Sequence, residues 1–149
     1  METAFGKRLD RVRQASPLVH CISNLVTAND CANIVLAAGA SPIMADAPEE
    51  VREITALSRA LCLSLGTPNP RKADAMFLAG REAAELGLPV VFDPVGVGAS
   101  AYRQKIAQKL LRDIPLTVLR CNASELQTLS GQSLVSRGVD AGKAPELET

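Results

Sequence analysis

An alternation constrains this chain more than any other feature of its sequence. Short apolar runs recur at Pro17-Leu18-Val19-His20-Cys21-Ile22, Ser41-Pro42-Ile43-Met44, Leu61-Cys62-Leu63-Ser64-Leu65, Pro89-Val90-Val91-Phe92-Asp93 and Leu116-Thr117-Val118-Leu119-Arg120. Between them lie segments whose apolar residues repeat at helical spacing. Strands separated by helices pair in parallel, because the intervening helix is the crossover that returns the chain to the same sheet edge. The expected fold is therefore a layered α/β structure around a mostly parallel sheet.

The helices carry their own punctuation. An opening helix is predicted over about Thr3 to Gln14, with Phe5, Leu9 and Val12 on one face. A second runs from near Thr27 to Ala38, stopped by Gly39. Pro48 suits the first turn of a third, whose apolar face would be Val51, Ile54 and Leu57. Asn69-Pro70 reads as a cap followed by a first-position proline, opening a long helix lined by Ala73, Met76, Phe77, Gly80 and Ala84 and ended by Gly87. Ser100 caps a helix carrying Tyr102, Ile106 and Leu110. Asn122 opens a last one, with Leu126 and Leu129 inward and Gly131 closing it. Beyond Gly131 the pattern weakens: Gly138 to Gly142 is turn-like, and Pro145 to Thr149 reads as the start of a helix left unfinished. There is no internal repeat, low-complexity stretch or linker.

Composition removes several function classes. The 149 residues suffice for one domain with a hydrophobic core, and their 47% apolar and 21% charged content is that of a globular protein. Sixteen basic residues balance sixteen acidic ones, which gives no electrostatic case for nucleic acid or an anionic membrane. No apolar run has the length of a membrane span, and the N-terminus lacks the apolar centre of a signal peptide. The four cysteines are scattered, so buried reduced thiols in a cytoplasmic protein are expected rather than a metal or disulfide framework.

Ligands of an open parallel sheet bind beyond the carboxyl ends of its strands. Asn24 follows the first predicted strand and Met44 ends the second. Gly66-Thr67 follows the third, Asp93 the fourth, and Arg120-Cys121-Asn122 the fifth. The loop Asp93-Pro94-Val95-Gly96-Val97-Gly98-Ala99 allows close backbone approach to a ligand, and Asp93 offers oxygen to a hard cation; a turn with a helix-capping acid explains the same residues. It is neither a Walker A loop nor a dinucleotide-binding loop. Asn122 with Glu125 three positions on is close to a capping box, which needs no ligand; it would also place both residues at a positive helix terminus, where phosphate and magnesium gather. Arg120 beside them adds fixed positive charge. His20, the sole histidine, falls inside a strand and reads as a hydrogen-bonded core residue, and Met44 on its own reads as packing.

The stretch Val19 to Asn33, with Ile22-Ser23-Asn24-Leu25-Val26-Thr27-Ala28-Asn29-Asp30 at its centre, resembles the opening signature of the hydroxyethylthiazole kinase family. Gly39-Ala40-Ser41-Pro42-Ile43-Met44-Ala45-Asp46-Ala47-Pro48-Glu49-Glu50-Val51 resembles it too, as do the Asp93 to Ala99 loop and Asn122-Ala123-Ser124-Glu125, in the same order. The resemblance implies a ribokinase-like three-layer α/β/α fold with a mostly parallel sheet, truncated at its C-terminus, so that residues 1–149 form a single partial kinase domain. It implies phosphorylation of the alcohol of 4-methyl-5-(2-hydroxyethyl)thiazole by ATP with Mg2+, in thiamine biosynthesis and salvage, by a cytoplasmic homotrimer with sites at subunit interfaces. Met44 would contact the thiazole, with Asn24 and Gly66 nearby. Arg120 and Asn122 would serve the nucleotide, and Asp93 and Glu125 the magnesium. The catalytic residue is unknown and expected in the part of the family's length that follows this chain, with a glycine-rich anion hole.

The chain departs from the family at Cys121, where glycine is usual; a thiol-bearing side chain there crowds the phosphate path. Two other readings remain: a non-catalytic remnant that binds a ligand or partner, and another ribokinase-like kinase such as a hydroxymethylpyrimidine kinase, against which the Asn24 to Asp30 and Met44 blocks argue.

Overall fold

The computed structural model describes residues 3–131. Its elements follow the predicted alternation: α1 (Ala4–Ala15), β1 (Leu18–Ile22), α2 (Ala28–Ala38), β2 (Ser41–Ile43), α3 (Val51–Leu57), β3 (Ala60–Ser64), α4 (Pro70–Glu85), β4 (Val90–Asp93), a 3-10 turn (Val97–Ala99), α5 (Ala101–Asp113), β5 (Val118–Leu119) and α6 (Ala123–Leu129). The five strands form one sheet in the order β2-β1-β3-β4-β5, and every pairing is parallel. The short β5 is continued at both ends by Thr117 N–H to Val90 O and Arg120 N–H to Phe92 O, each 2.9 Å.

The chain steps one way from β1 to β2 and the other way through β3, β4 and β5. Right-handed crossovers then put α2 on one face of the sheet and α3, α4 and α5 on the other. The packing agrees: α3 lies on α4 and α4 on α5, while α2 packs on α1 and β2. The α3–α5 face is the dense one. Leu61, Leu63, Val90 and Phe92 point into it with Leu65, Met76, Ala79, Ala83, Ile106 and Leu110, all fully or nearly fully buried. Alternate residues of β3 and β4 are only half-buried, so these strands alternate where the sequence read continuous apolar runs. Among the described residues, α1 and α2 bury no residue of their own.

Three apolar assignments of the sequence fail. Phe5, Leu57 and Leu126 are 74%, 70% and 53% exposed. On α3 the buried positions are Val51 and Thr55, one turn apart, and on α6 they are Ser124 and Glu125. In both helices a polar residue takes the inner face because it has a partner there. Pro48 lies outside α3, in a turn closed by Glu50 and Val51 N–H groups on Ala47 O, where its fixed φ is equally useful.

Thr55 is inward because of His20. The imidazole is completely buried, with Nε2 2.8 Å from Ala45 O and Nδ1 2.9 Å from Thr55 Oγ1. A carbonyl can only accept, so Nε2 carries the proton and Nδ1 accepts from the threonine hydroxyl. The pair ties β1 to the β2 loop and to α3. Burial holds the His20 pKa below its ordinary 6.5, against the smaller opposing effects of the Ala45 bond and Glu50. The sign follows: the unfolded chain takes up a proton below pH 6.5 that the folded chain resists, so stability falls as pH drops through that value. Chemical denaturation from pH 7.5 to 5 is expected to show this loss, and Thr55→Val, which strands Nδ1, to lower stability by about 1–3 kcal/mol at neutral pH. A variant as stable as the parent would show that Nδ1 needs no partner.

Candidate active site

Parallel pairing puts the carboxyl ends of all five strands on one edge, and Asn24, Met44, Gly66, Asp93, Arg120 and Asn122 all lie there or in the loops that follow. They form two groups. Asn24 and Gly66 touch, and Met44 lies across the end of β1 from them. Asp93, Arg120, Asn122 and Glu125 gather at the ends of β4 and β5.

On the first side, Asn24 is locked by its own turn. Its Oδ1 accepts from Val26 N–H (3.0 Å) and Thr27 N–H (2.9 Å), and its Nδ2 donates to Thr27 Oγ1 (2.8 Å). Gly66 passes directly beneath: a β-carbon there would lie 2.5 Å from Asn24 Cβ. Thr67, at φ 45°, accepts from Leu25 N–H through its hydroxyl. The result is a cavity of about 290 Å3 lined by Asn24, Val26, Thr27, Gly66, Thr67, Val95 and Arg103. Met44 is 40% exposed and lines a neighbouring hollow of about 180 Å3 with Ser23, Leu25 and Asp46.

On the second side, Arg120 Nη1 donates to Asp93 Oδ2 at 2.9 Å. Asp93 Oδ1 is buried and has no hydrogen-bond partner among the described residues. Burial raises the Asp93 pKa, outweighing the neighbouring guanidinium, and Glu125 raises it further. Glu125 is itself buried and occupied: Oε1 accepts from Gly96 N–H at 3.0 Å, and Oε2 from Asn122 N–H at 2.9 Å. Asn122 Oδ1 returns the bond to Glu125 N–H, completing the capping box. Gly96 presents its N–H from a left-handed conformation, φ 64°, that a side chain would resist. The Cys121 thiol is half-buried within the fields of Asp93 and Glu125, and burial first, then those carboxylates, raises its pKa. All four cysteines are free thiols; Cys21 is buried and the other three partly so.

A hard cation takes oxygen ligands, and magnesium in phosphate sites uses one or two carboxylates with water and phosphate oxygens. Asp93 Oδ1 fits that role, as a buried carboxylate oxygen with nothing bound to it. Among the described residues no group of three or more His, Cys, Asp or Glu could hold a metal ion by itself, so the protein's share would be small.

Two residues that matter here were not singled out from the sequence. Lys72 Nζ donates to Ser23 O (2.8 Å) and Gly66 O (2.7 Å), joining the β1 and β3 loops. Arg103 Nη1 donates to Leu65 O (3.1 Å) and Val95 O (2.7 Å), joining the β3 and β4 loops. Each is the third residue of its helix, after the caps Asn69 and Ser100, and Glu125 holds the same position after Asn122. A signal was available: cations in the first turn oppose the helix dipole, and neither α4 nor α5 has an acid there.

The Asn24–Gly66 contact leaves no room for a methyl group. Gly66→Ala is expected to destabilise the fold by about 1–3 kcal/mol, read as a lower denaturation midpoint; an unchanged midpoint would mean that Asn24 moves aside freely.

Known proteins resemble this chain in sequence and in fold. Residues 9–148 match the model of the hydroxyethylthiazole kinase family. The hydroxyethylthiazole kinase of Desulfovibrio desulfuricans is 53% identical over 139 residues, covering 93% of this chain and 49% of that protein. The hydroxyethylthiazole kinase of Alkaliphilus metalliredigens is 48% identical over 146 residues, covering 95% and 54%. The solved hydroxyethylthiazole kinase structure from Pyrococcus horikoshii OT3 superposes with a TM-score of 0.81 at 42% identity, over 84% of this chain and 49% of that one. The chain thus spans about half the length of the curated relatives it matches. By sequence and by fold, it belongs to the hydroxyethylthiazole kinase family.

Proposed function

We propose that this chain supplies the organic-substrate, phosphate and magnesium groups of a kinase that transfers the γ-phosphoryl of ATP to the hydroxyl of 4-methyl-5-(2-hydroxyethyl)thiazole, within thiamine biosynthesis and salvage. The observation that carries this reading is Asp93: a half-buried carboxylate whose buried oxygen Oδ1 has no partner among the described residues and whose other oxygen is on Arg120, beside a glycine-rich loop at the end of a parallel strand. That combination suits a kinase, because phosphoryl transfer rests on positioning and charge stabilisation rather than on covalent chemistry.

Asp93 Oδ1 is the ligand the chain would offer to Mg2+, which when bound neutralises charge on the phosphates. Glu125 acts on the same centre by holding the Gly96 loop and the Asn122 helix terminus in place, and a carboxylate oxygen that accepts one N–H still has a lone pair for a metal-bound water. Arg120, its side chain 73% exposed, can turn from Asp93 to phosphate oxygens. Asn122 sets the helix end beside them. On the other side, the cavity at Asn24 and Gly66 and the neighbouring hollow at Met44 would together seat the thiazole alcohol. No general base stands among these residues: Asp93 and Glu125 are committed, and His20 is sealed in the core. The reading therefore places hydroxyl activation in the part of the family's length that follows residue 149, and treats residues 1–149 as one part of a single kinase domain. The free thiols and the absence, among the described residues, of a helix able to cross a membrane support placing it in the cytoplasm.

Self-association, as a homotrimer, belongs to the same proposal. Leu25, Val26, Ile34 and Leu36 are 56% to 81% exposed on α2 and the loop before it, next to the thiazole side. Apolar surface of that kind is suited to a subunit interface. Light scattering at micromolar concentration is expected to give a trimer; a clean monomer would refute it.

The kinase reading is tested by coupled assay, with this chain alone and joined to the C-terminal half of a relative. The joined protein is expected to phosphorylate the thiazole alcohol and the chain alone to show at most about a hundredth of that rate, as for a lost set of oxyanion donors. Arg120→Ala in the joined protein should raise KM for ATP more than KM for the alcohol. Equal turnover by the two proteins, or the reverse order of KM effects, would overturn the assignment.

A further inference from the structure

We propose that Lys72 is a positioning residue for the organic substrate: by holding the Ser23 and Gly66 carbonyls on one ammonium, it fixes the separation of the β1 and β3 loops and so the shape of the seat between them. This rests on the kinase reading above and names a determinant of its substrate side.

Three observations carry it. First, Lys72 is only 3% exposed, yet among the described residues its ammonium bonds only those two backbone oxygens, at 2.8 and 2.7 Å. Burying a charge is unfavourable unless geometry repays it, and a well-packed apolar residue commonly serves stability as well or better. Burial here draws the pKa down to about 8, with Asp46 opposing. Second, the two carbonyls flank the substrate side. Ser23 precedes Asn24, and Gly66 is the residue on which Asn24 rests, with 2.5 Å between Asn24 Cβ and the place where a β-carbon would be. Third, among the described residues no other side chain bonds both carbonyls. The last β1–β3 register pair is Ile22 with Leu63; beyond it, the loops meet through Lys72, through the packing of Asn24 on Gly66, and through the Leu25 N–H to Thr67 Oγ1 bond at their tips.

The cavity between those loops has the scale of a small heterocyclic alcohol rather than of a nucleotide, at about 290 Å3. Its walls are Asn24, Val26 and Thr27 from the β1 loop, Gly66 and Thr67 from the β3 loop, and Val95 and Arg103 beyond them, so a change in the separation of the first two loops changes its width. The Asp93–Arg120 pair stands at the ends of β4 and β5, and the contacts that join the β3 loop to it are Leu65 N–H to Asp93 O and the Arg103 clamp, not Lys72. A Lys72 substitution should therefore be felt by one ligand and not by the other.

The experiment compares Lys72→Met and Lys72→Arg with the parent chain. Calorimetric titration measures Kd for the thiazole alcohol and, separately, for Mg2+ with a non-hydrolysable ATP analogue. Amide hydrogen exchange is followed over residues 23–28 and 66–68, with β3 and β4 as internal controls. Lys72→Met is expected to weaken the alcohol by about tenfold or more while leaving the nucleotide within about twofold, and to speed exchange in the two loops but not in the strands. Lys72→Arg, which can still donate to both carbonyls, should recover most of the loss. Equal weakening of both ligands, exchange raised throughout the sheet, or an arginine variant as impaired as methionine would reduce Lys72 to a structural lysine. If the parent binds no thiazole alcohol, the kinase reading fails by itself, and loop-confined exchange still decides whether Lys72 holds the loops. Should Lys72→Met fail to fold, Lys72→Gln takes its place under the same criteria.

Discussion

The functional edge of this sheet depends on three side chains that reach back from the first turns of three helices. Lys72 joins the loops after β1 and β3, Arg103 those after β3 and β4, and Glu125 the glycine-rich loop after β4 to the start of α6 after β5. The strand order makes these successive neighbours. Each clamp pairs a charge with two backbone groups, and hydrogen bonds to charged groups contribute about 1.5–3 kcal/mol each in favourable settings. The sheet's own ladder stops before these loops, so the clamps carry its order outward to the residues that would meet a ligand.

The signs of the clamps matter as much as their positions. The two cations accept an unfavourable place on the helix dipole and bind carbonyls, which leaves the loop N–H groups of the substrate side free for turns such as the one around Asn24. The acid at Glu125 takes the favourable place and consumes N–H groups instead. Asp93 sits between the two regimes, with one oxygen neutralised by Arg120 and the other left bare in a buried position. A buried acceptor without a partner is destabilising, and a bound ion is one physical explanation for it. That oxygen is the physical basis of the magnesium assignment.

Much of this was legible in the sequence. The strand and helix alternation, the caps at Asn69, Ser100 and Asn122, and the glycines after α2 and α4 each have a local cause and lie where the local pattern put them. The placement of Asn24, Met44, Gly66, Asp93 and Asn122 on one edge follows from parallel pairing alone. The inward faces of α3 and α6 were not legible, because apolar periodicity favoured Leu57 and Leu126, and the sequence does not reveal that Thr55 faces His20 or that Glu125 faces Gly96. Lys72 and Arg103 escaped for a related reason: a lysine or arginine on a helix normally reads as solvated surface, and their targets are backbone carbonyls, which every residue has. Only their position against the helix dipole distinguishes them.

The central claim is that the Asp93 cluster is a magnesium and phosphate site separate from the seat formed by Asn24, Gly66 and Met44. The most direct measurement is calorimetric binding of a non-hydrolysable ATP analogue to the parent chain and to Asp93→Asn, with and without Mg2+, beside a titration of the thiazole alcohol. Mg2+ is expected to strengthen nucleotide binding to the parent, Asp93→Asn to remove this Mg2+ dependence, and the alcohol to bind both proteins alike. A variant that keeps its Mg2+ dependence, or one that loses the alcohol together with the nucleotide, would contradict it.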